Sequence, residues 1–309
     1  MTMRDAFLDK LTQLAEKDKN IVLLTADLGF GVFEDFESRF PGQYFNVGVA
    51  EQNMTGLAAG LALEGKKVIT YSIGNFPTLR CLEQIRNDIC YHDLNVTIVA
   101  SGGGFSYGSL GMSHHTTEDI SILRALPGMV VIAPGTAWEA SKATEVLIKS
   151  EGSGYLRLDK TVAQVDSRPQ FSLGSSIRYK DGSDITLLTT GGILSDVIQA
   201  SELLQEQGVD VRVVSMHTIK PIDKDAIISA ANETGGIISI EEHNIDGGLG
   251  SAVAEVCMDS GVIPKAFLRI GLDNKYSSIV GTQDYLKEYY RMNQAAIVQK
   301  VLSLLSTQG

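Results

Sequence analysis

The side chains of this 309-residue chain that could do chemistry fall just behind short apolar runs. Asp27 follows IVLLTA, Glu51 follows FNVGVA, and Asn75 and Phe76 follow KVITYSIG. His114 and His115 close a glycine-rich stretch, SGGGFSYGSLGMSHH, that begins at Ser101. Arg157 lies inside the run GYLRL, with Asp159 and Lys160 behind it. Glu51 is the acidic group of an otherwise uncharged segment from Tyr44 to Leu63. Two readings of it are open. A carboxylate in a first helical turn complements the exposed N–H groups and the helix dipole. A carboxyl in an apolar site can instead have a raised pKa and share a proton with a ligand nitrogen. Arg157 poses a similar choice, because a buried guanidinium needs an anion, either a carboxylate of the chain or a ligand phosphate.

Several familiar chemistries lack their residues. The glycine-rich stretch has no Lys-Ser/Thr to complete a P-loop, and no GxGxxG follows a strand. His114 and Glu118 would share a helix face at i, i+4, but two ligands without a third make no metal site. No GxSxG elbow is present for nucleophilic hydrolysis. Asp246 and the GGLGS turn could bind an anion at a helix start, with packing as the alternative. His217 and His243 read as structural.

The elements that must position these residues alternate between apolar strands and helices. Strands are expected at 21–27, 44–49, 67–73, 95–101, 129–134 and 154–159, the second of them buried. Helices are expected at 3–18, 50–64, after Phe76, and at 136–149. Continuously apolar strands separated by helices predict a parallel sheet covered on both faces. In such sheets ligands bind beyond the carboxyl ends of the strands, where every residue named above falls. The helix after Glu51 carries Gly56, Ala59 and Gly60, a bare side open to another backbone. A polar segment at 161–183 reads as a linker, and a second α/β set follows at 184–309. The fold class is therefore α/β, with two domains, each a mostly parallel sheet flanked by helices.

The formal charge of −11 argues against a nucleic-acid footprint. No segment has the roughly 20 apolar residues that span a bilayer, and the N-terminus is an amphipathic helix rather than a signal peptide. Cys81, Cys90 and Cys257 show no metal or redox spacing, which suits a reducing, cytoplasmic setting.

VGVAEQNMTGLAAGLA, the glycine-rich stretch ending in His114, HTIKPID (217–223) and EEHNIDGGLGSAVAE (241–255) together resemble the C-terminal half of transketolase and of deoxyxylulose phosphate synthase. They resemble, more distantly, the β subunits of 2-oxo-acid decarboxylating enzymes. The resemblance covers nearly the whole chain, with 1–160 as the pyrimidine-binding domain and 184–309 as the transketolase C-terminal domain. It implies thiamine diphosphate as cofactor and ketol transfer between sugars or sugar phosphates. By resemblance, Glu51 falls on the glutamate that bonds the cofactor pyrimidine, and Phe76 on the aromatic that packs against that ring. Asp27 falls on a loop bordering the thiazolium. His114 would be catalytic and substrate-contacting, His115 its neighbour at the substrate, and Arg157 a binder of substrate phosphate. Arg4 falls near a second phosphate-binding arginine, although a helix-surface role is the preferred reading.

The chain also departs from the pattern. Gly102 stands where transketolases carry another active-site histidine, GSLG (108–111) replaces an acidic segment, and a first-loop serine is missing near Gly31. The GDG…Asn motif that holds the diphosphate and its Mg2+ or Ca2+ is absent, since KDG (180–182) and IDGG (245–248) lack its context. The resemblance therefore implies a split enzyme. A separate partner would carry the diphosphate domain and the metal, in a heterotetramer, with self-association across the pyrimidine domain. The β subunit of a 2-oxo-acid decarboxylase, a deoxyxylulose phosphate synthase-like enzyme and a non-catalytic binding module are the alternatives.

Overall fold

The computed structural model describes residues 1–165 and 167–306. Its first half runs α1 (Met3–Ala15), β1 (Ile21–Thr25), α2 (Glu34–Arg39), β2 (Tyr44–Asn46), α3 (Glu51–Leu63) and β3 (Lys67–Ile73). Then come α4 (Leu82–Gln84), β4 (Val96–Ser101), α5 (Asp119–Arg124), β5 (Val130–Ile132), α6 (Ala137–Lys149) and β6 (Gly154–Leu158). The second half runs β7 (Ile177–Lys180), β8 (Ile185–Thr190), α7 (Leu194–Glu206), β9 (Val211–Ser215), β10 (Thr218–Lys220) and α8 (Lys224–Glu233). It ends with β11 (Ile237–Asn244), α9 (Leu249–Asp259), β12 (Phe267–Leu272), α10 (Gln283–Tyr289) and α11 (Gln294–Ser306).

The strands form two sheets, in the orders β10-β5-β6-β4-β3-β1-β2 and β12-β11-β8-β9-β7. Pairing is parallel except at one edge of each sheet, where β10 and β7 run antiparallel to their neighbours. The central strands β1, β4 and β6 are buried at every position. Side chains from both faces enter separate cores, one around Leu24, Met54 and Ile98 and the other around Phe7, Leu23 and Leu156. This is the two-faced burial expected of a parallel sheet. No described helix is long and apolar enough to cross a membrane.

Four local expectations are corrected. β2 is a three-residue edge strand with Phe45 and Asn46 exposed, rather than a buried six-residue one. The long helix expected after Phe76 is a turn followed by three α-helical residues and a π-helical segment, Ile85–Cys90. The expected linker contributes β7, whose Ile177 pairs with Ser215 and whose Tyr179 hydroxyl donates to buried Glu139 at 2.7 Å. Finally, β10 comes from the second half of the chain yet completes the first sheet, pairing Thr218 with Ile132. The two domains are thus joined by backbone hydrogen bonds as well as by side chains.

Candidate active site

The register places the chemistry. Thr25 pairs with Asn46 and with Tyr71, Ile73 with Ser101, and Ser101 with Leu158. The carboxyl ends of β1, β2, β3, β4 and β6 therefore share one edge of the sheet. The segments carrying Asp27, Glu51, Phe76, His114 and Lys160 all leave from that edge.

Glu51 opens α3 and is 2 % exposed. Ala50, the residue before it, offers no side-chain cap. The apolar surroundings expected of Glu51 are not what it meets. Arg80, on the turn after Phe76, reaches back and places Nη1 2.6 Å from Glu51 Oε2. The same guanidinium lies over the Phe76 ring at 4.9 Å. The contact with Arg80 runs through Oε2 of the Glu51 carboxylate. The remaining face of α3, with Gln52, Asn53, Gly56, Leu57 and Gly60, is exposed.

Phe76 and His114 meet edge to face, with ring centroids 5.1 Å apart, although 38 residues separate them in sequence. His114 is half-buried, with Nδ1 3.0 Å from Ser113 Oγ, and Tyr107 stands 6.4 Å from its ring. Lys160 Nζ sits 3.8 Å from the Tyr107 ring centroid. Desolvation, and then the neighbouring charge of Arg4, hold the Lys160 ammonium below the ordinary lysine range. Asp27 adopts a left-handed backbone (φ 55°) and exchanges hydrogen bonds with Asn46, at 2.9 Å to its N–H and 3.2 Å to its carboxylate.

Two residues expected at the substrate are placed elsewhere. Arg157 is buried, and its three nitrogens are occupied within the chain. Nε lies 3.2 Å from Asp159, Nη1 3.6 Å from Asp119, and Nη2 donates to the Glu242 carbonyl at 2.9 Å. Burial opposes its charge, but Asp119 and Asp159 outweigh that and raise its pKa above the ordinary range. The carboxylate alternative is the one realised. His115 is also buried, turned away behind the loop with Nε2 3.1 Å from the Gly108 carbonyl. Desolvation lowers its pKa, so the neutral ring is favoured.

A buried polar cluster joins the two domains beneath the site. Besides Arg157, Asp119 and Asp159 it holds Tyr155, His243, Glu241 and Glu242. Each carboxylate but one has an evident counterbalance. Asp119 has Arg157 and the Tyr155 hydroxyl at 2.6 Å. Asp159 has Arg157 and accepts the Gly192 N–H at 2.6 Å, at the approach to α7. Glu241 accepts the N–H groups of Leu249 and Gly250 at 2.7 and 2.9 Å, occupying the start of α9 that might otherwise take a ligand anion. Among the described residues, Glu242 has neither a helix start nor a paired cation. Burial, reinforced by Asp159, pushes its carboxyl up to about 7, against the opposing pull of Lys287, the Phe105 N–H and Gln283. His217 is buried against Phe171, its ring stacked at 4.1 Å, and desolvation lowers it to about 4.

Sequence comparison decides the lineage of this arrangement. Residues 1–164 match the model of the transketolase pyrimidine-binding domain, and residues 174–297 that of the transketolase C-terminal domain. The chain belongs to the transketolase family. It is 36 % identical to a subunit of the apulose-4-phosphate transketolase of Phocaeicola vulgatus, over 98 % of this chain and 97 % of that one. It is 36 % identical to a 6-deoxy-6-sulfo-D-fructose transketolase subunit of Clostridium sp., over 96 % and 92 %. A solved split-gene transketolase, an inactive β4 tetramer, superposes with a TM-score of 0.88 at 33 % identity, covering 99 % and 98 % of the two chains. Transketolase-family membership implies thiamine diphosphate use. The two relatives, matched over nearly their whole length, are themselves named as transketolase subunits.

Arg80 and Lys160 had not been assigned roles from sequence. Arg80 carried a usable signal, being a basic residue four positions after Phe76 in an otherwise uncharged turn. Lys160 had a weaker one: it lies just beyond the end of β6, at the edge where ligands bind, whereas Arg157 lies inside the strand.

Proposed function

We propose that this chain is the C-terminal subunit of a split transketolase, transferring a two-carbon ketol unit between sugars in an assembly with a second protein that carries the diphosphate-binding domain. One observation carries the reading. A nearly buried carboxylate stands at the start of α3, and beside it an aromatic ring and a half-buried histidine meet. Those residues fit an aminopyrimidine, which offers a ring nitrogen for a carboxyl and a face for an aromatic ring. Thiamine diphosphate, when bound, supplies the carbanion-stabilising centre that carbon–carbon cleavage requires.

Within this chain, Glu51 would hold a proton at the pyrimidine nitrogen and Phe76 would orient the ring. Asp27 would border the thiazolium side. His114, at the end of the glycine-rich loop, would contact substrate oxygen and move a proton there. The diphosphate and its Mg2+ or Ca2+ would be held mainly by the partner, and the exposed Gly56/Gly60 face of α3 would be a contact surface. Lys160 and Arg4 take over the anion-binding role first expected of Arg157. Both are cations at the open end of the sheet, near enough to influence each other, whereas Arg157 is fully engaged. Two relatives are named for sugars bearing phosphate or sulfonate, which supports an anionic substrate.

The test is Glu51→Gln in the assembled enzyme. We expect cofactor binding to be kept and exchange of the thiazolium C2 proton to slow at least a hundredfold, within the range of a lost general acid–base group. Normal exchange would remove Glu51 from this role. Lys160→Met should raise KM for an anionic acceptor by about tenfold and leave kcat within twofold; unchanged KM would discard the anion subsite.

A further inference from the structure

We propose that Glu242 is a positioning residue for the loop that carries His114: a carboxylate of the second domain that seats the loop by accepting the Phe105 N–H. His114 matters to catalysis only on the reading given above, whereas the seating itself stands on geometry alone.

The loop leaves β4 at Gly102 and is closed by a backbone bridge, Gly104 N–H to the Thr116 carbonyl at 2.8 Å and Thr116 N–H to the Gly104 carbonyl at 2.9 Å. His114 therefore sits in a closed excursion of a dozen residues. Its position depends on where that excursion is held. The first domain holds it through Asn75, whose side-chain amide donates to the His115 carbonyl, and through the Lys160 N–H, which donates to Ser106 Oγ at 3.3 Å. Further holding contacts come from the second domain. Phe105 is fully buried in the core formed by β8, β9, α7 and α11, where its ring stacks on Tyr290 at 5.5 Å. Its N–H donates to Glu242 Oε1 at 2.5 Å. Gln283, from α10, donates to the same carboxylate at 3.1 and 2.9 Å and fixes its rotamer. At the far side of the loop, the Gly281 N–H donates to the Gly108 carbonyl at 3.3 Å.

Gly104 shows how close the approach is. Its φ is +56°, and a Cβ there would lie 2.5 Å from Glu242 Oε1. Gly103 is equally constrained, because a Cβ would collide with the Arg157 and Asp159 side chains. The sequence SGGG thus brings backbone against a buried carboxylate rather than merely allowing the loop to bend. A carboxylate without a paired cation is costly to bury. Glu242 stays because it satisfies a buried N–H that no other described group satisfies. On this account the second domain contributes to the site by fixing one loop, without placing a side chain at the substrate.

The test uses the full chain, with hydrogen–deuterium exchange and resonances of isotope-labelled histidine. In Glu242→Ala, peptides spanning 103–116 should exchange at least tenfold faster, while β8 and β9 keep their wild-type rates. In Glu242→Gln, one carbonyl must serve two donors, so the loop should loosen by about threefold. His114 resonances should shift in both variants, and those of exposed His92 in neither. In the assembled enzyme kcat should fall at least tenfold, with half-saturation by thiamine diphosphate changed less than twofold. Loop exchange and His114 resonances at wild-type values in either variant would overturn the assignment, as would exchange accelerated equally throughout the second domain. Should the alanine variant fail to fold, the glutamine variant decides. An inactive wild-type assembly would sink the transketolase reading and leave the loop measurement standing.

Discussion

Replacing Arg80 by methionine removes the partner of a carboxylate that is 2 % exposed, while Arg80 itself is 48 % exposed. Breaking a fully buried ion pair costs about 3–5 kcal/mol, and an exposed pair is worth about 0.2–1 kcal/mol. With one partner buried and the other half in water, screening brings the expected cost to about 1.5 kcal/mol. That figure includes the loss of the guanidinium from the Phe76 ring, a contact of about 0.5–1 kcal/mol. At about 2–4 °C per kcal/mol for a chain of this order of size, Tm should fall by about 3–6 °C. A double-mutant cycle isolates the pair. Glu51→Gln alone removes the charge, and in the double variant the two losses should overlap by about 1 kcal/mol. Urea unfolding of the four proteins supplies the numbers. Losses that simply add, within about 0.3 kcal/mol, would refute the claim that Arg80 and Glu51 act as a pair.

Arg157→Leu should destabilise the chain by about 3 kcal/mol or more, because it leaves Asp119 and Asp159 buried together; a folded variant altered only in substrate KM would restore the phosphate role. Stability should also respond to pH through two groups of opposite sign. Glu242 has its folded pKa raised to about 7, so the folded state holds an extra proton between about 4.5 and 7 and loses up to about 3 kcal/mol as pH rises through that window. His217, lowered to about 4, gives the reverse: its neutral form favours folding above about 6.5, and up to about 3 kcal/mol is lost as pH falls from there towards 4. Between about pH 5 and 6.5, urea midpoints should therefore rise more steeply with pH in Glu242→Gln than in wild type, and less steeply in His217→Gln. Parallel profiles would contradict both assignments.

The sheet of the first domain was legible because its strands are buried on both faces and so read as unbroken apolar runs. The placement of Phe76 and His114 at the edge where ligands bind was legible because their segments leave such runs, whereas Glu51 follows the short, exposed β2. What escaped has a common physical origin in partners distant along the chain. β10 is only three residues long and owes its place to β5, some 86 positions away. β7 lies within a polar stretch and exists by pairing with β9. The π-helical segment at 85–90 shares its composition with an ordinary helix and differs only in hydrogen-bond register. Arg157 is the instructive case. Its burial was predictable, but the choice between a ligand anion and a carboxylate depended on Asp119, which α5 delivers from 38 residues upstream. Glu242 was hidden for the same reason, since its 137-residue separation from Phe105 leaves no local pattern.

The central claim is that this chain holds the pyrimidine half of a transketolase site and needs a second protein for the other half. Calorimetric titration with thiamine diphosphate and magnesium tests it directly, using this chain alone and then co-purified with a partner carrying the diphosphate-binding domain. Tight, saturable binding by the pair and none by the single chain is the predicted result. Tight binding by this chain alone would contradict it.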